Sequence, residues 1–171
     1  MKKPELLAPA GSFEKAKVAF MYGADAVYCG TASLSLRSRA EVDDNDLEKT
    51  IKYAHSIGKK VYAALNIYAW DTNYEEIEKQ VKMLDEVHVD AIIASDGGVI
   101  QKIREIAPNI EIHVSTQANV VSYHAAKFWY DNGAKRVILG RETSKDQIQE
   151  IMKNKPEDLE VEMFIHGALC W

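Results

Sequence analysis

The segment GADAVY, residues 23–28, decides the fold, because variants of it recur as VDAII at residues 89–93 and GAKRVI at residues 133–138. In each copy, the end of a helical pattern is followed by a small or acidic residue and then by aliphatic residues. Short aliphatic segments that alternate with helical patterns are typical of parallel strands joined by helices. The three copies therefore predict a βα repeat.

The rest of the chain shows the same alternation on both sides of these copies. Short apolar segments bounded by turn residues predict seven strands, over residues 5–8, 25–30, 61–67, 91–95, 111–116, 136–139 and 161–165. Apolar residues at helical spacing predict six helices between these strands. The first three run over residues 12–23, from a cap at 43–45 to Gly58, and from Asn73 onward. The last three run over residues 99–107, over residues 120–131, and from Ser144 to near Pro156.

Residues that favour helix starts support this interpretation. Ser12 follows Pro9 and Gly11 in a tight turn, so we interpret it as the N-cap of the first helix. Ser144 with Gln147, and Asn73 with Glu76, have the three-residue spacing of a capping box.

Two architectures fit repeated βα units, a doubly wound sheet and a barrel. The turn after the first strand, residues 9–12, lacks the GxGxxG pattern of a dinucleotide-binding sheet. Nearly every predicted strand ends in polar or small residues, as barrel strands do. The fold class predicted is therefore α/β, an incomplete (β/α)8 TIM-type barrel. Residues 1–171 would form one barrel-type domain, since complete barrels have about 250 residues.

An incomplete barrel exposes unpaired backbone groups on its first and last strands. We therefore predict self-association through the open barrel edge.

Composition excludes several classes of protein. The chain is 47% hydrophobic and 27% charged, as is usual for a soluble globular domain, and its net charge of −5 gives no overall attraction to nucleic acid. Two cysteines, 141 positions apart, do not form a secreted disulfide framework and favour a reducing, cytoplasmic compartment. The N-terminus is not a signal peptide, and no segment has membrane-spanning length, so no membrane partner is expected.

The candidate functional residues follow the predicted strands. Carboxyl ends of parallel strands in a barrel meet at one rim, so side chains that follow the strands should lie together. These residues are Arg37, Arg39, Asn66, Asp96, Ser115, Gln117, Asn119, Arg141, Glu142, His166 and Cys170.

Several of these residues also have a structural interpretation. Asp96 is either a ligand or the cap of the next helix. Gln117 and Asn119 either bind substrate or satisfy backbone groups in their loop. Arg141 and Glu142 are adjacent and form either part of a ligand site or a local ion pair, worth about 0–1 kcal/mol at a surface.

Cysteine and tryptophan positions are interpreted separately. Cys29 lies within a predicted strand, where we expect it to pack as a small apolar residue. Cys170 follows His166 by four residues, which is weak support for either a nucleophilic Cys–His pair or a metal ligand. Trp70 and Trp129 are interpreted as packing residues rather than surfaces on which bases stack.

Four blocks of the sequence carry a family resemblance. They are ELLAPAGSFEKAKVAFMYGADAVYCG, SLSLRSRA, IHVSTQANVVSYHAAKFWYDNGAKRVILGRE and EMFIHGALC, in that order. Together they resemble the collagenase-like peptidases of family U32, and the resemblance spans the whole chain. It implies a barrel-type domain followed by a cysteine-bearing segment, whose signature begins with EMFIHGALC. Residue 171 therefore lies at the start of that signature.

The resemblance also implies chemistry. Similar proteins act in oxygen-independent hydroxylation of wobble uridine in transfer RNA or of a quinone precursor, with several cysteines holding a four-iron four-sulfur cluster and prephenate as hydroxyl source. Of that cysteine set only Cys170 is present, so this chain alone completes no cluster and is expected to be inactive on its own.

Three functions follow from these observations. We expect the intact parent to be an iron–sulfur-dependent factor for wobble-uridine hydroxylation, with Arg37, Arg39 and Arg141 binding a small carboxylate such as prephenate or a phosphate. The alternative is a collagenase-type protease acting on peptides through His166 and Cys170, with Glu142 beside them, although no HExxH motif is present. The third is an inactive fragment or partner-binding module.

Overall fold

A computed structural model describes residues 3–31 and 41–167. The chain divides into two compact units, residues 1–110 and 111–171. Three predicted site residues, Arg37, Arg39 and Cys170, lie outside the described residues.

In the first unit, parallel strands alternate with helices. The elements are β1 Leu7–Pro9, α1 Phe13–Met21, β2 Ala26–Thr31, β3 Glu41–Val42, α2 Asp44–Ser56, β4 Lys60–Ala64, α3 Tyr74–Glu86, β5 Ala91–Ala94 and α4 Gly97–Ile106. The sheet order is β1-β2-β4-β5, and the two-residue β3 pairs with β2. Short β3 was not predicted.

Apolar spacing explains why this unit folds as it does. In α3, Ile77, Val81 and Leu84 recur at helical spacing and are fully buried. All four residues of β5 are buried, as expected for a strand covered on both faces.

The second unit repeats the pattern. Its elements are β6 Glu111–Val114, α5 Tyr123–Asp131, β7 Arg136–Ile138, α6 Lys145–Asn154 and β8 Glu160–Glu162. The strands pair in parallel in the order β6-β7-β8. Apart from β3, seven strands and six helices are described, so the predicted βα alternation is confirmed within both units.

Most of the predicted helix caps form, including one at Asp43, whose side chain accepts from the Asp46 N–H at 2.8 Å. The Ser12 hydroxyl accepts a hydrogen bond from the Lys15 N–H at 3.3 Å. Ser144 and Gln147 form the predicted capping box. No such box forms at the start of α3. A 3-10 turn over residues 71–73 comes first, and the Asn73 carboxamide accepts from the Trp70 N–H instead.

The prediction of a buried final strand over residues 161–165 is wrong. β8 ends at Glu162, and Met163 and Ile165 are 49% and 84% exposed. The reason is the length of the neighbouring strand, because β7 ends at Ile138, which is in register with Glu162. Apolar alternation alone does not show where a strand loses its partner.

Among residues 3–31 and 41–167, no helix is both long and apolar enough to span a bilayer. Because the strands of each unit are parallel, their carboxyl ends lie on one side of that unit's sheet. We call this side the carboxyl edge and the opposite side the amino edge.

Candidate functional site

The carboxyl edge of each unit holds part of the predicted site. Asn66 and Asp96 follow the neighbouring strands β4 and β5 of the first unit. Six more predicted residues follow strands of the second unit, namely Ser115, Gln117, Asn119, Arg141, Glu142 and His166. Within each unit, the structure therefore places the described site residues on the edge that the sequence predicted.

Asn66 carries a buried acceptor. Its Oδ1 atom is inaccessible to solvent and has no hydrogen-bond partner among the described residues. A buried polar atom left in this state costs about 1–3 kcal/mol of stability. Such atoms call for a functional explanation at a strand exit of this fold class.

Asp96 is a helix cap. Its Oδ1 accepts from the Val99 N–H at 3.0 Å and from the Tyr74 hydroxyl at 3.3 Å. Burial, reinforced by the nearby charge of Asp96, raises the pKa of Tyr74, so the phenol stays a neutral donor. A Cβ atom on Gly98 would collide with the Tyr74 hydroxyl oxygen. Asp96 therefore orders this edge by joining the start of α4 to α3, as the structural interpretation predicted.

The loop between β4 and α3 exposes two aromatic side chains. Tyr68 is 76% exposed and Trp70 is 73% exposed. The interpretation of Trp70 as a packing residue is therefore wrong, because this loop runs over the surface rather than through the core. Trp129 does pack, since it is half-buried and contacts the Phe128 ring edge to face, with the two ring centroids 5.2 Å apart.

In the second unit, Ser115 supports its own loop. It is buried, and its hydroxyl accepts from the Gln117 N–H at 3.4 Å at the start of a 3-10 turn. That turn ends at Asn119, whose φ of +54° is in the left-handed region that asparagine tolerates better than most residues. The Gln117 and Asn119 side chains are exposed, so both amides are available to a ligand.

Arg141 is held by an aromatic ring. Its guanidinium carbon lies 4.0 Å from the centroid of the Phe164 ring, a cation–π contact that joins the exits of β7 and β8. Its Nε atom is buried and has no partner among the described residues. The expected alternative, an ion pair with Glu142, does not form there, so Arg141 keeps hydrogen-bonding capacity for an anion.

The predicted catalytic residues are only partly described. Glu142 and His166 are both exposed. The position for a Cβ on Gly140 lies 3.0 Å from Glu142 Oε1, so glycine leaves room for that carboxylate. Cys170 lies outside the described residues, and the grouping of His166, Cys170 and Glu142 stays a prediction.

Cys29 has the packing role predicted for it. The residue is fully buried in β2, and burial raises the pKa of its thiol to about 12. A thiol in this state is neither a nucleophile nor a metal ligand near neutral pH.

The described residues do not fit an iron–sulfur cluster. Such clusters are usually held by four cysteine thiolates. The chain has two cysteines, of which Cys29 is buried and Cys170 lies outside the described residues. Residues 3–31 and 41–167 contain no group of three or more His, Cys, Asp or Glu side chains that could hold a metal ion.

Sequence reasoning missed two features of the carboxyl edges. Phe164 falls within the predicted final strand over residues 161–165, and its contact with Arg141 depends on the lengths of β7 and β8. Tyr68 was not singled out, although two aromatic residues within a short loop after an apolar strand are a usable signal.

The profile of peptidase family U32 matches residues 11–171. The chain belongs to this family. The U32 assignment confirms the resemblance seen in the four sequence blocks.

Two relatives carry names that refer to RNA. The chain is 47% identical to the tRNA hydroxylation protein P of Haemophilus influenzae, over 98% of the chain and 36% of that protein. It is 44% identical to the tRNA hydroxylation protein P1 of Bacillus subtilis, over 99% of the chain and 40% of that protein. The chain thus spans well under half the length of these U32 relatives.

A solved structure supports the fold class. The U32 peptidase Mk0906 matches with a TM-score of 0.75 at 14% identity, over 94% of this chain and 70% of that one. At this identity the likeness concerns the fold alone. It confirms the prediction of an incomplete TIM-type barrel with parallel strands.

Proposed function

We propose that this U32 protein acts in the hydroxylation of wobble uridine in transfer RNA. The observation that carries the proposal is 44–47% identity over almost the whole chain to proteins named for tRNA hydroxylation.

Arg141 gives the proposal a binding group for a small anion. Stacking on Phe164 fixes the plane of the guanidinium, and its nitrogen atoms can donate to a carboxylate or a phosphate. A carboxylate such as prephenate, or a phosphate of the RNA, would bind here with charge-assisted hydrogen bonds. Gln117 and Asn119 are exposed amides on the same unit's carboxyl edge and would contact polar groups of the substrate.

The proposal includes a four-iron four-sulfur cluster, which the two cysteines of these 171 residues do not complete on their own. Cys170 would supply one thiolate, and the other ligands would have to come from sequence outside these 171 residues.

A collagenase-type protease is the competing function, and the family name is its main support. Hydrolysis of a peptide needs an activated nucleophile or a metal-bound water. The described residues contain no metal-binding group, and Cys29 is a buried neutral thiol. No described feature favours peptidase activity over the RNA proposal. Self-association through the open sheet edge, and a role as a partner-binding module, stay predictions.

Deleting the gene in its own organism tests the proposed function. Transfer RNA from the deletion strain is digested to nucleosides and analysed by mass spectrometry. We expect wobble hydroxyuridine to disappear and to return when the gene is restored. Hydroxyuridine at the parental level in the deletion strain would contradict the proposal, and loss of a peptide-cleaving activity instead would favour the protease.

A further inference from the structure

The loop after β4 carries two strongly exposed aromatic side chains on the carboxyl edge of the first unit. Tyr68 and Trp70 are 76% and 73% exposed and lie two positions apart. Aromatic side chains contribute large stabilising areas when buried, and this loop forgoes most of that stabilisation. Neighbouring exposed aromatic residues of this kind mark interaction surfaces.

The backbone beneath the pair is held in place. Ile67, just before Tyr68, is buried. The Trp70 N–H donates to Asn73 Oδ1 at 2.9 Å, and the Asn73 N–H donates to the Trp70 carbonyl oxygen at 2.8 Å. Tyr74 then begins α3 and donates to Asp96. A loop fixed in this way loses little entropy when its exposed rings bind a partner.

The pair lies beside a second unexplained feature. Asn66, two residues before Tyr68, has a buried Oδ1 atom with no partner among the described residues. Both features follow β4, on the edge where barrel enzymes bind substrate. The loop therefore has the position of a substrate contact.

Local charge limits the kind of partner. Asp71 and Glu75 follow Trp70 and are both exposed, and Glu75 is paired with Lys79 at 2.7 Å. The carboxylate of Asp71 repels a phosphate group or an anionic lipid surface brought against the loop, so a nucleic acid would present the face of a base here and keep its phosphates away from Asp71. A nucleobase presents a flat apolar face that stacks on tryptophan and tyrosine whatever its identity.

We propose that Tyr68 and Trp70 form a stacking platform for an unpaired base of the RNA substrate. The platform rests on the proposed function and adds a contact that recognises single-stranded rather than paired RNA. Unpaired bases can turn out of a loop and stack on aromatic side chains, whereas bases within a duplex cannot reach them.

Binding of a labelled single-stranded oligouridylate to the 171-residue chain tests the platform by fluorescence anisotropy. Trp70→Ala should weaken binding roughly 5- to 100-fold, the range expected for one lost stacking contact. Tyr68→Ala should also weaken binding. Trp70→Phe should keep most of the affinity of the original chain, because phenylalanine still offers a ring on which a base can stack.

Tyr22→Ala is the matched control. Tyr22 is 86% exposed in the same unit but lies at the carboxyl end of α1, away from the loop after β4. This variant should bind like the original chain. Thermal unfolding midpoints should be the same for all the variants, because each removed ring is largely exposed.

The salt dependence separates stacking from phosphate contact. If Trp70 contacts only a base, the affinity of Trp70→Ala should fall with salt at the same slope as that of the original chain. A matching duplex RNA should bind more weakly than the single strand and should not distinguish the variants.

Three results would overturn the platform. The first is that Trp70→Ala binds RNA as tightly as the original chain does. The second is that the original chain binds duplex RNA as tightly as single-stranded RNA. The third is that an aromatic or proline-rich peptide displaces the labelled RNA at a lower concentration than unlabelled RNA does. Loss of hydroxyuridine in the deletion strain together with any of them would remove the platform but leave the proposed function. Confirmed stacking together with normal hydroxyuridine in the deletion strain would remove the proposed function and leave Tyr68 and Trp70 as an RNA-binding surface.

Discussion

The amino edge of each sheet is rich in paired charges, whereas the carboxyl edge holds buried polar atoms without a described partner. At the amino edge of the first unit, Asp25 accepts from the Leu6 N–H at 3.0 Å and pairs with Lys59 at 3.2 Å. On the same edge Asp90 lies 3.0 Å from His55. The Asp25 contacts join the start of β2 to the starts of the neighbouring strands β1 and β4, and the Asp90 contact joins the start of β5 to the end of α2.

The second unit repeats the amino-edge pattern with a buried arginine. Arg136, at the start of β7, is 6% exposed and contacts Glu160 at 2.9 Å and Glu162 at 3.1 Å. On the carboxyl edges, by contrast, Asn66 Oδ1 and Arg141 Nε lack partners among the described residues.

The difference separates stability from function. Groups that satisfy one another stabilise a fold, while buried polar groups without a protein partner can hydrogen-bond to water or to a ligand. In barrel folds the amino edge contributes stability and the carboxyl edge carries the chemistry. Substitutions of matched residues on the two edges should therefore affect different measurements.

The largest expected effect on stability is at Arg136, on the amino edge of the second unit, and Arg141 on the carboxyl edge is the residue compared with it. Arg136→Met should lower the free energy of unfolding by about 2 kcal/mol, since it removes the buried partner of Glu160 and Glu162, whose carboxylates remain partly hydrated. Arg141→Met should lower it by about 1 kcal/mol or less, the value of a cation–π contact near a surface. Urea denaturation of both variants measures the two changes, and equal changes would break the distinction between the edges.

A second prediction concerns pH. Burial lowers the pKa of His113 in β6 from its ordinary value of 6.5, although Glu111 opposes the shift. Because the folded state holds this imidazole neutral, its contribution to stability is complete above pH 6.5 and is lost as pH falls toward the lowered pKa. His113→Phe should flatten the decline in stability between pH 7 and pH 5. An unchanged decline would show that other groups cause it.

The smallest expected change in stability is at Asn66. Asn66→Leu removes a buried acceptor that has no described partner, so it should be neutral or should stabilise the chain by up to about 1 kcal/mol. Thermal unfolding measures the difference, and Asn73→Leu is the control, since its carboxamide has a partner in Trp70. Destabilisation of Asn66→Leu as large as that of the control would mean that the Asn66 amide supports the fold.

Local rules predicted the features that depend on neighbours in sequence. The Ser144–Gln147 box and the Asp96 cap need only a few residues and a helix start, and both form. The Asn73–Glu76 box failed because a 3-10 turn competed for the same side chain.

Features that depend on pairing between strands were beyond sequence reasoning. The exposure of Ile165 and the stacking of Arg141 on Phe164 both depend on where β7 and β8 stop pairing. Periodicity indicates which face a residue would take within a strand, but it does not indicate the end of the strand.

The most direct test of the carboxyl edge as the functional face is wobble hydroxyuridine in strains that carry substitutions at the native locus. Arg141→Met should abolish or strongly reduce hydroxyuridine in transfer RNA while the protein accumulates to its normal level, and Tyr22→Ala should leave both unchanged. Normal hydroxyuridine in the Arg141→Met strain would contradict the account, because the stacked guanidinium would then have no part in the reaction.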